Sequence, residues 1–90
     1  MSRLDNALQN DIKALELLRD QLKVHASLLK DEARKRWEEL EEKREILKEH
    51  LDKAQRATDA PRKELEAAAK HLSEVLKTGY ADIKNALKKT

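Results

Sequence analysis

The sequence predicts an all-α protein in which a long helix is followed by a shorter antiparallel helix, that is, a coiled-coil helical hairpin. Charged residues make up 42% of the 90 residues and aromatic residues only 2%, which is typical of long helices and coiled coils. Leucine and alanine recur at helical spacing, and this favours a folded chain over a disordered one. We expect residues 1–90 to form one helical domain.

The first element is a helix over about residues 3–57. A row of leucines seven residues apart runs from Leu8 to Leu29, and a second row between them gives the alternating steps of four and three that mark a coiled-coil seam. The step from Ala33 to Trp37 is four residues where three is expected, a stutter that locally unwinds a supercoil. The predicted self-association seam comprises Leu8, Ile12, Leu15, Leu18, Leu22 and Leu29.

A turn is predicted at residues 58–61, where the sequence reads Thr58-Asp59-Ala60-Pro61. Thr and Asp are favoured N-caps, and Pro is accepted in a first helical turn but costs ~3 kcal/mol in a helix interior. The second helix then covers about residues 62–88. It contains Gly79, which lowers helix stability by ~1 kcal/mol relative to Ala and could let a bulky group approach closely.

Folding back at this turn places large residues opposite small ones along the hairpin. Leu40 and Trp37 fall near Gly79, and Arg44 lies in the seam. Two interpretations of Arg44 are open. In one, its aliphatic part packs in the seam while its guanidinium reaches Glu side chains. In the other, Arg44 is a polar seam residue that fixes the register of the helices. The predicted hairpin-packing residues are Trp37, Leu40, Arg44, Leu47, Leu51, Leu65, Leu72, Val75, Gly79 and Ile83.

The second helix ends opposite about residue 32, so the leucines at the front of the chain need another cover. Each buried large side chain contributes ~1.5–3 kcal/mol, too much to leave in water. A homodimer joined through the N-terminal halves is the favoured arrangement. The alternative is a monomeric three-helix bundle with a break near Leu29–Glu32, although no Gly or Pro marks that place. A parallel coiled coil running through Pro61 is disfavoured by the interior Pro.

Residues that carry out chemistry are sparse. His25, His50 and His71 lack the spacing of helical metal sites, and the chain has no Cys and a single Gly, so it offers no thiol nucleophile and no phosphate-binding glycine loop. We expect no enzymatic activity, no cofactor and no metal. The net charge of +2 gives no basic patch for nucleic acid. The absence of an apolar N-terminal run predicts a cytoplasmic protein without a signal peptide.

The segment Leu76-Lys77-Thr78-Gly79, followed by Ile83, Ala86 and Leu87, resembles the ending of short bacterial coiled-coil proteins, some of them stress-associated. The resemblance covers about the last half of the chain, with Ala57-Thr58 in place of the break that precedes the final helix in those proteins. Their tails commonly carry aromatic residues, of which only Tyr80 is present here. The resemblance implies no enzymatic activity and no ligand.

The expected function is therefore that of a non-enzymatic interaction or structural protein that self-associates through its N-terminal seam. One alternative is a lipid-surface binder that uses the lysines of the last helix, since surface-seeking helices carry Lys or Arg at their polar margin. Another is an adaptor whose N-terminal seam binds a different helical protein.

Overall fold

Three helices account for nearly all of the residues that the computed structural model describes, 6–89. They are α1 (Asn6–Lys23), α2 (Asp31–Arg56) and α3 (Asp59–Lys88), and a short 3-10 turn, Ala26–Leu28, lies between α1 and α2. The described residues contain no strand. The predicted all-α class is confirmed.

The helices form an up-down-up bundle. Glu16 and Arg19 of α1 pair with α2 residues that come in the reverse order, so these two helices are antiparallel. Leu8 lies beside Lys63 and Leu18 beside Lys84, so α1 runs parallel to α3. The bundle measures 46 × 19 × 16 Å, whereas an unbroken helix over residues 6–56 would be ~76 Å long. The structure is the three-helix alternative.

The uninterrupted helix predicted over about residues 3–57 is thus replaced by two helices, and residues 3–5 lie outside the described part of the chain. The interruption covers residues 24–30. Asp31 adopts φ 51°, a left-handed conformation that Asp tolerates better than most side chains but that is still unfavourable. The break has no Gly or Pro to cause it. It exists because folding α1 back buries the front leucines within the same chain.

The second turn is tighter than the predicted 58–61. Ala57 and Thr58 are extended, and α3 begins at Asp59. Pro61 therefore lies in the first turn of α3, where its missing N–H needs no partner. The first backbone hydrogen bond after it runs from Arg62 N to Thr58 O at 2.9 Å.

The leucine row of α1 forms one side of the core. Its members are buried, down to 2% exposure at Leu29, and Ile12 and Leu18 are partly buried against the same core. All six predicted seam residues therefore have cover within one chain. The uncovered leucines that led us to expect a homodimer do not exist in this fold, so that reason for dimerisation is removed, and dimerisation itself stays a prediction.

The predicted hairpin-packing residues divide into two groups. Trp37, Leu40, Leu47, Gly79 and Ile83 are buried. The half-buried members are Arg44, Leu51, Leu65, Leu72 and Val75.

The predicted hairpin-packing residues did not include the central row of α3, which is Ala69, Ser73, Leu76 and Tyr80. In the predicted hairpin α3 packs against α2 alone. In the structure α3 packs against both α1 and α2, so its buried stripe is displaced around the helix from the predicted one. Ser73 is tolerated in this row because its hydroxyl donates a hydrogen bond to Lys70 O at 2.7 Å.

Gly79 allows α2 and α3 to approach closely. The Leu40 side chain packs directly onto it, and a Cβ at this position would overlap the Leu40 methyl groups. Trp37, which sequence reasoning placed near the same glycine, stacks obliquely with Tyr80, their ring centroids 6.0 Å apart at 45°. The large side chain that packs on Gly79 is therefore that of Leu40.

We predict that Gly79→Ala lowers the free energy of unfolding by up to about 2 kcal/mol, because overpacking costs ~1–3 kcal/mol and Ala gains only ~1 kcal/mol over Gly in a helix. In a Leu40→Ala background the overlap is gone, so the same substitution should instead raise stability by about 1 kcal/mol. Urea unfolding of the four proteins measures both effects. A loss of equal size in both backgrounds would contradict the assigned contact.

Candidate functional site

Two pairs of charged side chains join α1 to α2. Arg19 donates to Glu41 through Nε to Oε1 at 2.9 Å and through Nη2 to Oε2 at 2.7 Å. Arg44 donates to Glu16 through Nε to Oε1 at 3.1 Å and through Nη2 to Oε2 at 2.9 Å. Both arginine side chains are mostly buried, 13% and 14% exposed. We call these four residues the ion-pair cluster.

The ion-pair cluster is symmetric in sequence. Each helix contributes a Glu followed three residues later by an Arg, and the residue numbers of each pair add up to 60. Paired residues are therefore equally far from residue 30, as in two antiparallel helices with constant register. Forked pairing of a guanidinium with a carboxylate is directional, so the cluster holds this register. Both interpretations of Arg44 are compatible with this pairing. Its guanidinium reaches a Glu side chain, and that Glu lies on another helix, so the pair also fixes the register.

The pairing also changes the proton affinity of its members. The hydrogen bond from Arg19 is the main cause that lowers the pKa of Glu41, against the opposing effect of burial. The same bond raises the pKa of Arg19. Both groups stay charged at neutral pH, so neither is poised for proton transfer.

Tyr80 lies beneath the cluster, on α3. Its hydroxyl is buried and has no hydrogen-bond partner among the described residues. Burial raises the pKa of this phenol to about 12. A cavity of about 10 Å³ adjoins Tyr80, Glu16 and Arg44, and a space of this size holds at most one water molecule. The ion-pair cluster thus lies beside the neutral phenol of Tyr80, and the cavity between them is too small to hold a substrate.

A larger concave surface lies at the end of the bundle that contains the α1–α2 break. It is a groove of about 410 Å³ between the last turns of α1 and of α3, and we call it the end groove. Four leucines form its apolar lining, namely Leu18, Leu22, Leu28 and Leu87. Gln21, His25, Lys84 and Lys88 form the polar part of its lining. Among residues 6–89 no carboxylate side chain lines it, so the groove is apolar within and basic along its edge.

Exposed large apolar side chains lie on α1 and in the interruption that follows it. Leu17 is 67% exposed, Val24 is 74% exposed and Leu28 is 54% exposed. Leu28 lines the end groove, whereas Leu17 on α1 and Val24 in the interruption are not among its lining residues. Single exposed apolar residues are ordinary, but a concave apolar surface edged by polar groups is typical of a binding site.

The histidines do not converge. His25 lines the end groove, His50 is half-buried on α2 and His71 is exposed on α3. Over residues 6–89 no three His, Asp or Glu side chains come together as metal ligands would. In the same range, none of the helices combines the length and hydropathy that a bilayer-spanning segment needs.

Comparison of the chain with protein-family models, with curated proteins and with solved structures found no match. The resemblance to short bacterial coiled-coil proteins therefore stays a prediction.

Several of the residues predicted to form binding surfaces lie in the end groove, which the sequence did not predict. Leu18 and Leu22, expected in a seam between two chains, lie beside Leu87 in the end groove. Lys84 and Lys88, considered for a lipid-facing surface, line the same groove. Sequence reasoning missed the groove because it forms only where α1 stops at Lys23 and folds back. Leu28, a leucine outside the predicted seam that lines the groove, was the available signal.

We predict that Tyr80→Phe changes the pH dependence of stability. The phenol has a pKa of about 12 when folded and 10.0 when unfolded, so the neutral form favours the folded state. Its contribution is complete below pH 10 and is lost as the pH rises to 12. The loss should amount to about 2–3 kcal/mol.

Urea unfolding of wild type and Tyr80→Phe across this pH range isolates Tyr80, since the lysines titrate in both proteins. The wild type should lose more stability than the variant. Parallel curves would contradict the burial of the phenol.

Proposed function

We propose that this chain is a non-enzymatic interaction protein that binds an amphipathic helix of another protein in its end groove. The observation that carries the proposal is the concave, leucine-lined surface at one end of the bundle, which includes the exposed Leu28. A helix laid into an apolar groove is a common mode of peptide recognition.

The charges around the groove favour an acidic partner. Lys84 and Lys88 of α3 line one wall, and His25 lies across from them. A helix with leucines on one face and Glu or Asp beside them would bury its apolar face and place carboxylates near these lysines. Complementary charge of this kind supplies specificity and association rate more than affinity.

A lipid surface is the alternative occupant, and two features make it the weaker one. Helices that lie on membranes place Trp, Phe and Leu on the face that enters the lipid. Here the sequence has no Phe and Trp37 is buried in the core. The apolar surface is moreover partly recessed, which suits a protruding side chain better than a flat interface.

The remaining expectations fit this proposal. The cavity beside the ion-pair cluster holds at most one water molecule, and among the described residues no carboxylate or thiol side chain lines the end groove, so we assign no catalytic role. A cytoplasmic location is compatible with a basic docking groove for an acidic helix and is part of the proposal.

We predict that a synthetic leucine-faced helix with glutamate flanks binds at least about tenfold more tightly than the same peptide with lysine flanks. Fluorescence anisotropy of the labelled peptides measures this. Lys84→Glu with Lys88→Glu should reverse the preference, and Leu28→Ser should weaken the binding of both peptides because it removes apolar contact area.

The matched control is Lys48→Glu with Lys53→Glu, which makes the same charge change on exposed positions of α2. It should leave the peptide preference unchanged, and circular dichroism should show equal helix content in all variants. Equal affinity for the two peptides, combined with flotation on phosphatidylglycerol vesicles that Lys84→Glu with Lys88→Glu abolishes, would overturn the proposal in favour of lipid binding.

A further inference from the structure

We propose that the chain also forms a helix-exchanged homodimer. In this dimer residues 24–30 become helical, α1 and α2 join into one long helix, and α1 packs against the α2–α3 hairpin of a second copy. The inference goes beyond the proposed function, because it rests on the geometry of the α1–α2 break and not on the end groove.

The break itself is poorly supported by local structure. Residues 24–30 contain no Gly or Pro, and Ala26–Leu28 already form a 3-10 turn. The N-terminus of α2 at Lys30 has no side-chain cap hydrogen bond, so the helix start lacks the usual satisfaction of its free N–H groups. Asp31 holds φ 51°. A strained, short connection between helices is the setting in which helix exchange occurs.

The buried residues on the two sides of the break belong to one helical stripe. At 3.6 residues per turn, a continuous helix would carry all of them within an arc of about 100°. No residue of the core would have to turn to the solvent when the break straightens. The residues concerned are Leu8, Leu15, Leu22, Leu29, Trp37, Leu40, Leu47 and Ala54.

The ion-pair cluster has the symmetry that a two-fold dimer requires. Because paired residues lie equally far from residue 30, two long antiparallel helices crossing at residue 30 bring Glu16 of each copy to Arg44 of the other. Arg19 and Glu41 meet in the same way. A two-fold interface repeats each contact twice, so the dimer forms both ion pairs at both ends without a new contact.

The exchanged dimer retains the core and most of the end groove. α1 of one copy occupies the place of α1 on the other, so Leu18 and Leu22 lie beside Leu87 of the second copy. Since the core and ion-pair contacts of each half are unchanged, the balance between monomer and dimer depends on the break and on the cost of association. The dimer removes the strain at Asp31 and extends the helix, while association disfavours it by lost translational freedom.

Charge exchange between copies tests the proposal directly. Glu16→Arg with Arg19→Glu reverses the α1 half of the cluster, and Glu41→Arg with Arg44→Glu reverses the α2 half. Each variant alone brings like charges together in both the monomer and its own dimer. When the two variants are unfolded, mixed and refolded, only helix exchange can pair the reversed α1 of one with the reversed α2 of the other.

The expected result is a heterodimer of the two variants in native mass spectrometry, in clear excess over either homodimer. The protein with all four substitutions restores the pairs within one chain and should fold with the wild-type helix content, which shows that the reversed charges are tolerated. A mixture without heterodimer, alongside a folded fourfold variant, would overturn the proposal.

The break provides an independent second test with a matched pair of variants. Asp31→Gly removes the left-handed strain and weakens a continuous helix, whereas Asp31→Ala keeps the strain and favours the helix. Both remove the same charge. The dimer dissociation constant of Asp31→Ala should be at least about tenfold lower than that of Asp31→Gly.

Light scattering gives the mass of each variant, and small-angle X-ray scattering should show particles containing a ~76 Å helix in place of the 46 Å bundle. Equal dissociation constants would contradict the proposal. Peptide binding is measured on the monomer, whose end groove exists without exchange, so this proposal and the proposed function can fail separately.

Discussion

The leucine row from Leu8 to Leu29 holds α1 against the α2–α3 hairpin, and the rest of the bundle depends on its burial. These side chains contribute several kcal/mol in total, more than the chain loses by breaking a helix and accepting an unfavourable conformation at Asp31. Once α1 lies in place, α3 must face two helices at once. Its small residues are therefore central, and Gly79 lets Leu40 approach its backbone.

Polar interactions decide how α1 sits on that core. Apolar packing alone allows a helix to slide by a turn, because leucine is an adaptable side chain. The forked pairs of Arg19 with Glu41 and of Arg44 with Glu16 allow one register only. They cover Tyr80, whose hydroxyl stays buried and neutral. The cluster is thus a structural device that fixes the register of α1 on α2.

The end groove is a consequence of where the helices stop. α1 ends at Lys23 while α3 continues to Lys88, and the chain that connects α1 to α2 leaves Val24 and Leu28 exposed. The lysines near the end of α3 are ordinary for the last turns of a helix, where they complement its dipole. Beside exposed leucines they define a surface with a chemical preference. The same few residues therefore connect the break, the groove and the proposed partner.

The sequence by itself determined the helical class, the turn before Pro61 and the close approach at Gly79, because periodicity and backbone chemistry are local. It also identified the residues from Leu8 to Leu29 that must be buried, but it did not determine which helices cover them. The break at residues 24–30 has no local signal, so only the tertiary structure decided that α1 folds back onto its own chain. The same holds for the end groove and the buried Tyr80, since both arise where three helices meet. A stripe of leucines indicates that one face of a helix must be buried. The spacing of the leucines is the same whether the helix that covers this face belongs to the same chain or to another.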